Sequence, residues 1–138
     1  MGQRGDMRQV ALIVEDDPDV RELAAAILEE ADLRVVETSS AEEALAHLRQ
    51  HAGEVAFVFA DVRLPCPMSG VDLARSVRLK WPWIRTIVTS GSPLDLDDLT
   101  KLPREVRFMP KPWRALDVLI EAERALIGAP ERQADSPV

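Results

Sequence analysis

Two uninterrupted apolar runs narrow the choice of fold more than any other feature of the chain. Val10-Ala-Leu-Ile-Val14 stops on Glu15-Asp16-Asp17, and Val55-Ala-Phe-Val-Phe-Ala60 stops on Asp61. A strand with one face in water alternates apolar and polar residues, so a run that is apolar throughout reads as a strand buried on both faces. Leu33–Glu37, Thr86–Thr89 and Val106–Met109 are predicted as three further short strands. Helical spacing fills the gaps. Asp17-Pro18 is a helix start, with Asp as the cap and Pro at the first position, and Val20, Leu23, Ala24, Ile27, Leu28 and Ala31 recur behind it. Ser39 or Ser40 caps a second helix that carries Ala41, Ala44, Leu45 and Leu48 and stops at Gly53. Gly70 leads a third, which Trp81-Pro82 closes. Pro103 and the acids at 95, 97 and 98 allow at most a short fourth helix. Leu116, Leu119, Ile120, Glu123 and Ile127 mark a fifth, with Gly128 as its expected stop. Strands alternating with helices, and apolar on both faces, imply an α/β fold: a five-stranded parallel sheet, doubly wound, with helices on both faces.

Size and charge exclude several classes. The chain has 138 residues, enough for one domain with a real core. Residues 1–7 read as a flexible lead-in and 128–138 as a disordered tail. A net charge of −7 argues against a broad basic face for nucleic acid. The single cysteine, Cys66, excludes an internal disulfide and a Cys-based zinc site, and fits a reduced, cytoplasmic setting. No apolar run approaches the roughly 20 residues that span a bilayer, and the first ten residues lack the apolar core of a signal peptide.

In a doubly wound sheet, ligands bind beyond the carboxyl ends of the strands. The first strand delivers Glu15 and Asp16 there, the third Asp61, the fourth Thr89 and Ser90, and the fifth Lys111. Carboxylates converging on one edge repel one another unless a hard, oxygen-seeking cation such as Mg²⁺ joins them. A carboxylate left partly free is a nucleophile toward phosphorus, and a lysine neutralises the transferred group. Asp17, by contrast, reads as a plain helix cap. His47 and His51 read as a solvated pair, Trp81 and Trp83 as edge packing, Trp113 as a ring against the sheet edge or a partner, and Cys66 as a loop thiol.

These residues resemble the receiver domain of two-component response regulators. The matching segments are LIVEDDPDVREL at 12–23, VFADVRLP at 58–65, MSGVDLA at 68–74, TIVTSG at 86–91 and RFMPKPW at 107–113, and the resemblance covers about residues 8–127. It implies a flavodoxin-like sheet of strand order 2-1-3-4-5. It implies that Asp61 accepts a phosphoryl group and that Asp16, Glu15, Asp61 and the backbone carbonyl of Arg63 hold Mg²⁺. It also implies that Lys111 contacts the phosphoryl group and that Ser90 (with Thr89 as the fallback) and Phe108 form the switch. There are departures. The acids are Glu-Asp with a third at Asp17, the loop Leu64–Gly70 is one residue longer than usual and has Ser69 where Asp is common, and the segment after Ser90 is short. The SG pair and that short segment look most like stand-alone receivers or those of hybrid sensor kinases.

The expected function is to take a phosphoryl group from a phosphohistidine of a sensor histidine kinase, or of a histidine phosphotransfer protein, onto Asp61. Signalling would follow through a switched surface that binds a downstream protein. No direct nucleic-acid or membrane partner is expected, and a homodimer is left open. The chain would catalyse only its own phosphorylation and dephosphorylation. Too few residues follow the last helix for an effector domain. One rival is a Mg²⁺-dependent phosphohydrolase working through an aspartyl phosphate, which commonly carries a second Asp where this chain has Arg63. The other is an unphosphorylated pseudo-receiver that only binds a partner.

Overall fold

All five predicted strands form, and they lie parallel in one sheet of order β2-β1-β3-β4-β5. The computed structural model describes residues 7–65 and 67–134, the last six of these by their helical backbone alone. The strands are β1 (Val10–Val14), β2 (Arg34–Thr38), β3 (Val55–Asp61), β4 (Arg85–Ser90) and β5 (Arg107–Pro110), alternating with helices α1 (Pro18–Leu28), α2 (Ala41–His51), α3 (Gly70–Lys80), α4 (Leu96–Lys101) and α5 (Ala115–Ala134). This is the flavodoxin-like doubly wound sheet that the resemblance implies. Every residue of β1 and β3 is buried, which is why both runs are apolar throughout, whereas edge strand β5 is largely open.

Strand periodicity sorts the core into two layers. Leu12, Val14, Val58 and Ala60 turn to the face covered by α2 and α3 and pack with Leu45, Leu48, Leu73 and Val77. Ala11, Ile13, Phe57 and Phe59 turn to the opposite face and pack with Leu28 of α1 and with Val118 and Ala122 of α5. A smaller cluster of Val62, Val71, Ala74, Val88 and Val106, joined by Phe108, sits toward α3 and the short α4.

Helix starts follow the local chemistry. The Asp17 carboxylate accepts from the Asp19 and Val20 amides, with Pro18 at the first turn. Of the two candidate serines, Ser40 caps α2. Ser69 and Asp72 form a reciprocal capping box on α3, and Asp95 and Asp98 form one on α4. Ala52–Glu54 adds a 3₁₀ turn after α2 that the sequence pattern did not reveal. The end of α5 departs from expectation, because the helix passes Gly128 and runs to Ala134. A stop-glycine works by adopting positive φ, and no glycine among the described residues does so. Within the helix, Gly128 costs only about 1 kcal/mol relative to alanine. Of the expected lead-in and tail, residues 1–6 and 135–138 lie outside the described residues, as does Cys66.

Candidate functional site

The carboxyl edge of the sheet brings three charged side chains from three strands into direct contact. Lys111 Nζ donates to Asp61 Oδ2 at 2.7 Å and to Glu15 Oε1 at 2.9 Å. The two carboxylates are nearly closed off, with Glu15 4% and Asp61 6% exposed. Glu15 and Asp61 stand two residues beyond Ile13 and Phe59, so they inherit the same face of the sheet.

Backbone contacts hold each member in place. The Glu15 amide donates to Thr38 O at 3.0 Å, and Glu15 Oε2 accepts from the Asp17 amide at 3.1 Å. Arg21 of α1 donates to the Glu15 carbonyl at 2.9 Å and pairs with Glu37 at 3.4 Å. Asp61 Oδ1 accepts from the Arg63 amide at 2.8 Å. The Lys111 amide donates to Ser90 O at 2.9 Å, which fastens the loop after β5 to β4.

One ammonium serves two buried carboxylates, and the electrostatics reflect that imbalance. Burial pushes the Glu15 carboxyl above its ordinary range, and the neighbouring Asp61 adds to the effect. The Lys111 hydrogen bond opposes both without cancelling them. Burial works against the charged form of Lys111 as well, but its bonds to Asp61 and Glu15 outweigh that and raise its pKa overall.

The other candidates are placed as follows. Asp16, next to Glu15, is exposed at the rim. Glu15 and Asp61 converge, yet among the described residues no three His, Cys, Asp or Glu side chains stand close enough to hold a metal. The donor chemistry still suits a hard divalent cation, because it consists of oxygens around a buried, uncompensated negative charge. Ser90 is buried, and its hydroxyl accepts from the Ser92 amide at 3.2 Å. Thr89 pairs with Asp61 in the sheet register, and its hydroxyl accepts from the Trp113 indole at 2.7 Å. Phe108 is half-buried on the α3 and α4 side, in the cluster that contains Val88. The His47 and His51 rings neighbour each other on α2, with centroids 4.8 Å apart and planes tilted by 34°. His51 lies 3.6 Å from Glu54, and burial depresses the His47 pKa. Both lie in the second half of α2, away from its Ser40 cap.

Three contacts of the site escaped sequence reasoning: the close approach at Gly70, the side-chain ties of Arg63 and the indole bond of Trp113. Gly70 opens α3 directly against the third strand. A Cβ there would collide with the Asp61 carbonyl oxygen and lie 2.8 Å from Val62 Cα. Its position just before an amphipathic helix was the available signal, but a glycine at a helix start does not by itself announce a close approach. Arg63 pairs with Asp98 of α4 at 3.0 Å and donates to the Pro93 carbonyl at 3.3 Å, which ties the loop after Asp61 to the fourth helix. Trp113, expected to pack at the sheet edge or to face a partner, meets Phe59 edge-on at 5.2 Å and also bonds Thr89.

Comparison with known proteins agrees with this geometry. A family model described as the response regulator receiver domain matches residues 11–121. The chain is 32% identical over 131 residues to the hydrogenase transcriptional regulatory protein HoxA of Cupriavidus necator, covering 93% of this chain and 26% of that protein. It is 36% identical over 104 residues to the sensor kinase CckA of Brucella abortus, covering 74% of this chain and 11% of that protein. The chain thus spans about a quarter of one relative and about a ninth of the other. Among solved structures, the signal receiver domain of an HD domain-containing protein from Pseudomonas fluorescens superposes with a TM-score of 0.79 at 24% identity, over 90% of this chain and 98% of that one. The receiver domain of NtrX from Brucella abortus superposes with a TM-score of 0.71 at 26% identity, over 85% and 98%.

Proposed function

The chain belongs to the response regulator receiver domain family of two-component systems, and on that premise we propose that it accepts a phosphoryl group on Asp61 from a phosphohistidine. The donor would be a sensor histidine kinase or a histidine phosphotransfer protein. The observation that carries this reading is the contact of Lys111 with both Asp61 and Glu15, in a pocket at the carboxyl edge of the sheet.

In the transfer, the phosphorus–nitrogen bond of the donor breaks and a bond from phosphorus to an Asp61 carboxylate oxygen forms. The bonding pair returns to the imidazole. Lys111 stays protonated at neutral pH and lies beside the oxygen that would carry the new group, so it offsets the charge that arrives. The Arg63 amide fixes the other carboxylate oxygen and limits rotation of the side chain. Mg²⁺ held by Glu15, Asp16, Asp61 and the Arg63 carbonyl would supply the remaining neutralisation of the phosphoryl oxygens. Ser90 is the hydroxyl proposed to meet the transferred group; it accepts from the Ser92 amide and keeps its own proton to donate. Ser90 and Phe108 would then report phosphorylation to the surface near α4 and β5, where a downstream protein binds. The domain proper is assigned to residues 8–127.

The chain acts only on its own phosphoryl group under this reading, without turnover of a small substrate. Among the described residues no helix is long and apolar enough to cross a membrane, and a cytoplasmic setting is proposed with the kinase. Intact mass after incubation with acetyl phosphate and Mg²⁺ tests the assignment. One added phosphoryl group is expected on the parent chain and none on Asp61→Asn. Absence of uptake by the parent, or equal uptake by the variant, overturns it.

A further inference from the structure

We propose that Trp113 is a positioning residue for Lys111, holding the ammonium against Asp61 through the hydrogen bond from its indole to Thr89. The inference rests on the proposed phosphoryl acceptance for its consequence in rate, but its geometry stands apart from it. Lys111 carries its charge on a flexible four-carbon stem, and such a chain reaches one place reproducibly only if its backbone is fixed. Two anchors on consecutive β4 residues do this. The Lys111 amide donates to Ser90 O at 2.9 Å, and two residues on, Trp113 Nε1 donates to Thr89 Oγ1 at 2.7 Å. The loop between β5 and α5 is therefore fastened to β4 on both sides of Pro112.

The second anchor is also seated against the acceptor strand. Thr89 is the sheet partner of Asp61, and the Trp113 ring packs edge-on against Phe59, two residues before Asp61. Val20, Ala24, Phe59, Asp61, Thr89 and Trp113 line a crevice too narrow to admit water. The ring thus closes the underside of the carboxylate while its N–H fixes the lysine loop. Packing alone would be served by any large apolar side chain. A half-buried indole can satisfy its N–H with water, yet this one bonds the hydroxyl of Thr89, a residue only 2% exposed. Removing the donor leaves that buried hydroxyl short of a partner and the loop with one anchor.

Trp113→Phe keeps a ring and removes the donor, Thr89→Val keeps the shape and removes the acceptor, and Thr89→Ser keeps the acceptor. The initial rate of phosphorylation by acetyl phosphate with Mg²⁺, read by phosphate-affinity electrophoresis on the full chain, should fall about three- to tenfold in the first two, the size of one hydrogen bond. The double variant Trp113→Phe/Thr89→Val should fall no further, and Thr89→Ser should retain the parent rate. A second readout needs no phosphoryl transfer. The Lys111 side-chain ammonium should give a resolved ¹⁵N–¹H signal in the parent and in Thr89→Ser, protected by its two carboxylates, and lose it to solvent exchange in Trp113→Phe and Thr89→Val. Parent-like rates in the single variants, additive losses in the double, or an unchanged ammonium signal in Trp113→Phe would overturn the proposal. If the parent takes up no phosphoryl group, the function proposed above fails, and the ammonium signal alone then decides the role of Trp113.

Discussion

Replacing Gly70 by alanine tests how tightly the third helix is seated on β3, and the expected sign is the reverse of the usual one. Alanine for glycine within a helix ordinarily gains up to about 1 kcal/mol. At residue 70 the new methyl would overlap the Asp61 carbonyl oxygen and approach the Asp61 carbonyl carbon and Val62 Cα to 2.8 Å. Carbon atoms pack at about 3.5–4.0 Å, so the first turn of α3 must retreat by about 1 Å. Overpacking of this kind costs about 1–3 kcal/mol. The retreat also stretches the bond from the Gly70 amide to the Val62 carbonyl, now 2.9 Å, for about 1 kcal/mol more. After the helix gain is subtracted, a net loss of about 2 kcal/mol is expected, which lowers the melting temperature by about 6–10 °C for a domain of this size. Urea unfolding of parent and variant, followed by circular dichroism, measures it directly. Gly53→Ala is the control, since nothing lies within 4 Å of the methyl it adds, and it should be neutral or gain about 0.5 kcal/mol. A Gly70→Ala chain as stable as the parent would refute the close approach and with it the seating of α3 against Asp61.

Other perturbations address the charges. Lys111→Met strands two buried carboxylates and should cost about 2–4 kcal/mol at neutral pH, read by urea unfolding, with the deficit shrinking in acid as Glu15 takes up a proton. Because burial raises the Glu15 pKa in the folded chain, the folded state binds more protons than the unfolded one between the two values. Stability from this group therefore falls as pH rises through that window and is relieved below it, so Glu15→Gln should remove that fall and gain stability relative to the parent as pH rises through the window. Lys111 has the same sign at the alkaline end: its raised pKa gives stability that is complete below the ordinary lysine value and lost as pH climbs through the folded one, an alkaline transition that Lys111→Met should lack. Arg63→Ala removes the bridge to Asp98 and should speed amide exchange in α4 about fivefold, one hydrogen bond's worth, while α1 stays unchanged. Equal acceleration of both helices would show that the bridge is not local.

Much of this architecture was legible because its signals are local. The runs before Glu15 and Asp61 are buried on both faces, so nothing but apolar residues fits there, and strand ends could be read to within a residue or so. Asp17-Pro18 announces α1 because cap and first turn sit side by side in sequence. Glu15, Asp61 and Lys111 could be gathered because a parallel sheet places all carboxyl ends on one edge. What was not legible depends on contacts between distant segments. Neighbouring acids at a strand end look alike in sequence, yet Glu15 faces inward and Asp16 faces water. The indole bond to Thr89 joins positions 24 residues apart, and neither residue signals the other. Gly128 was misread because glycine stops a helix only when the backbone takes positive φ, which composition does not encode.

The bond between Lys111 and Glu15 closes a span of 96 residues. Loops of that length form late, after the local pairings that nucleate a parallel sheet. As the chain leaves the ribosome, β1, β2 and β3 can associate while both acids remain hydrated and lack a counter-charge. Asp61 acquires its lysine only once the final strand docks. If Asp61 accepts a phosphoryl group as proposed, a chain interrupted before that point would lack the lysine that completes the site, so the last strand to be synthesised would also gate its competence.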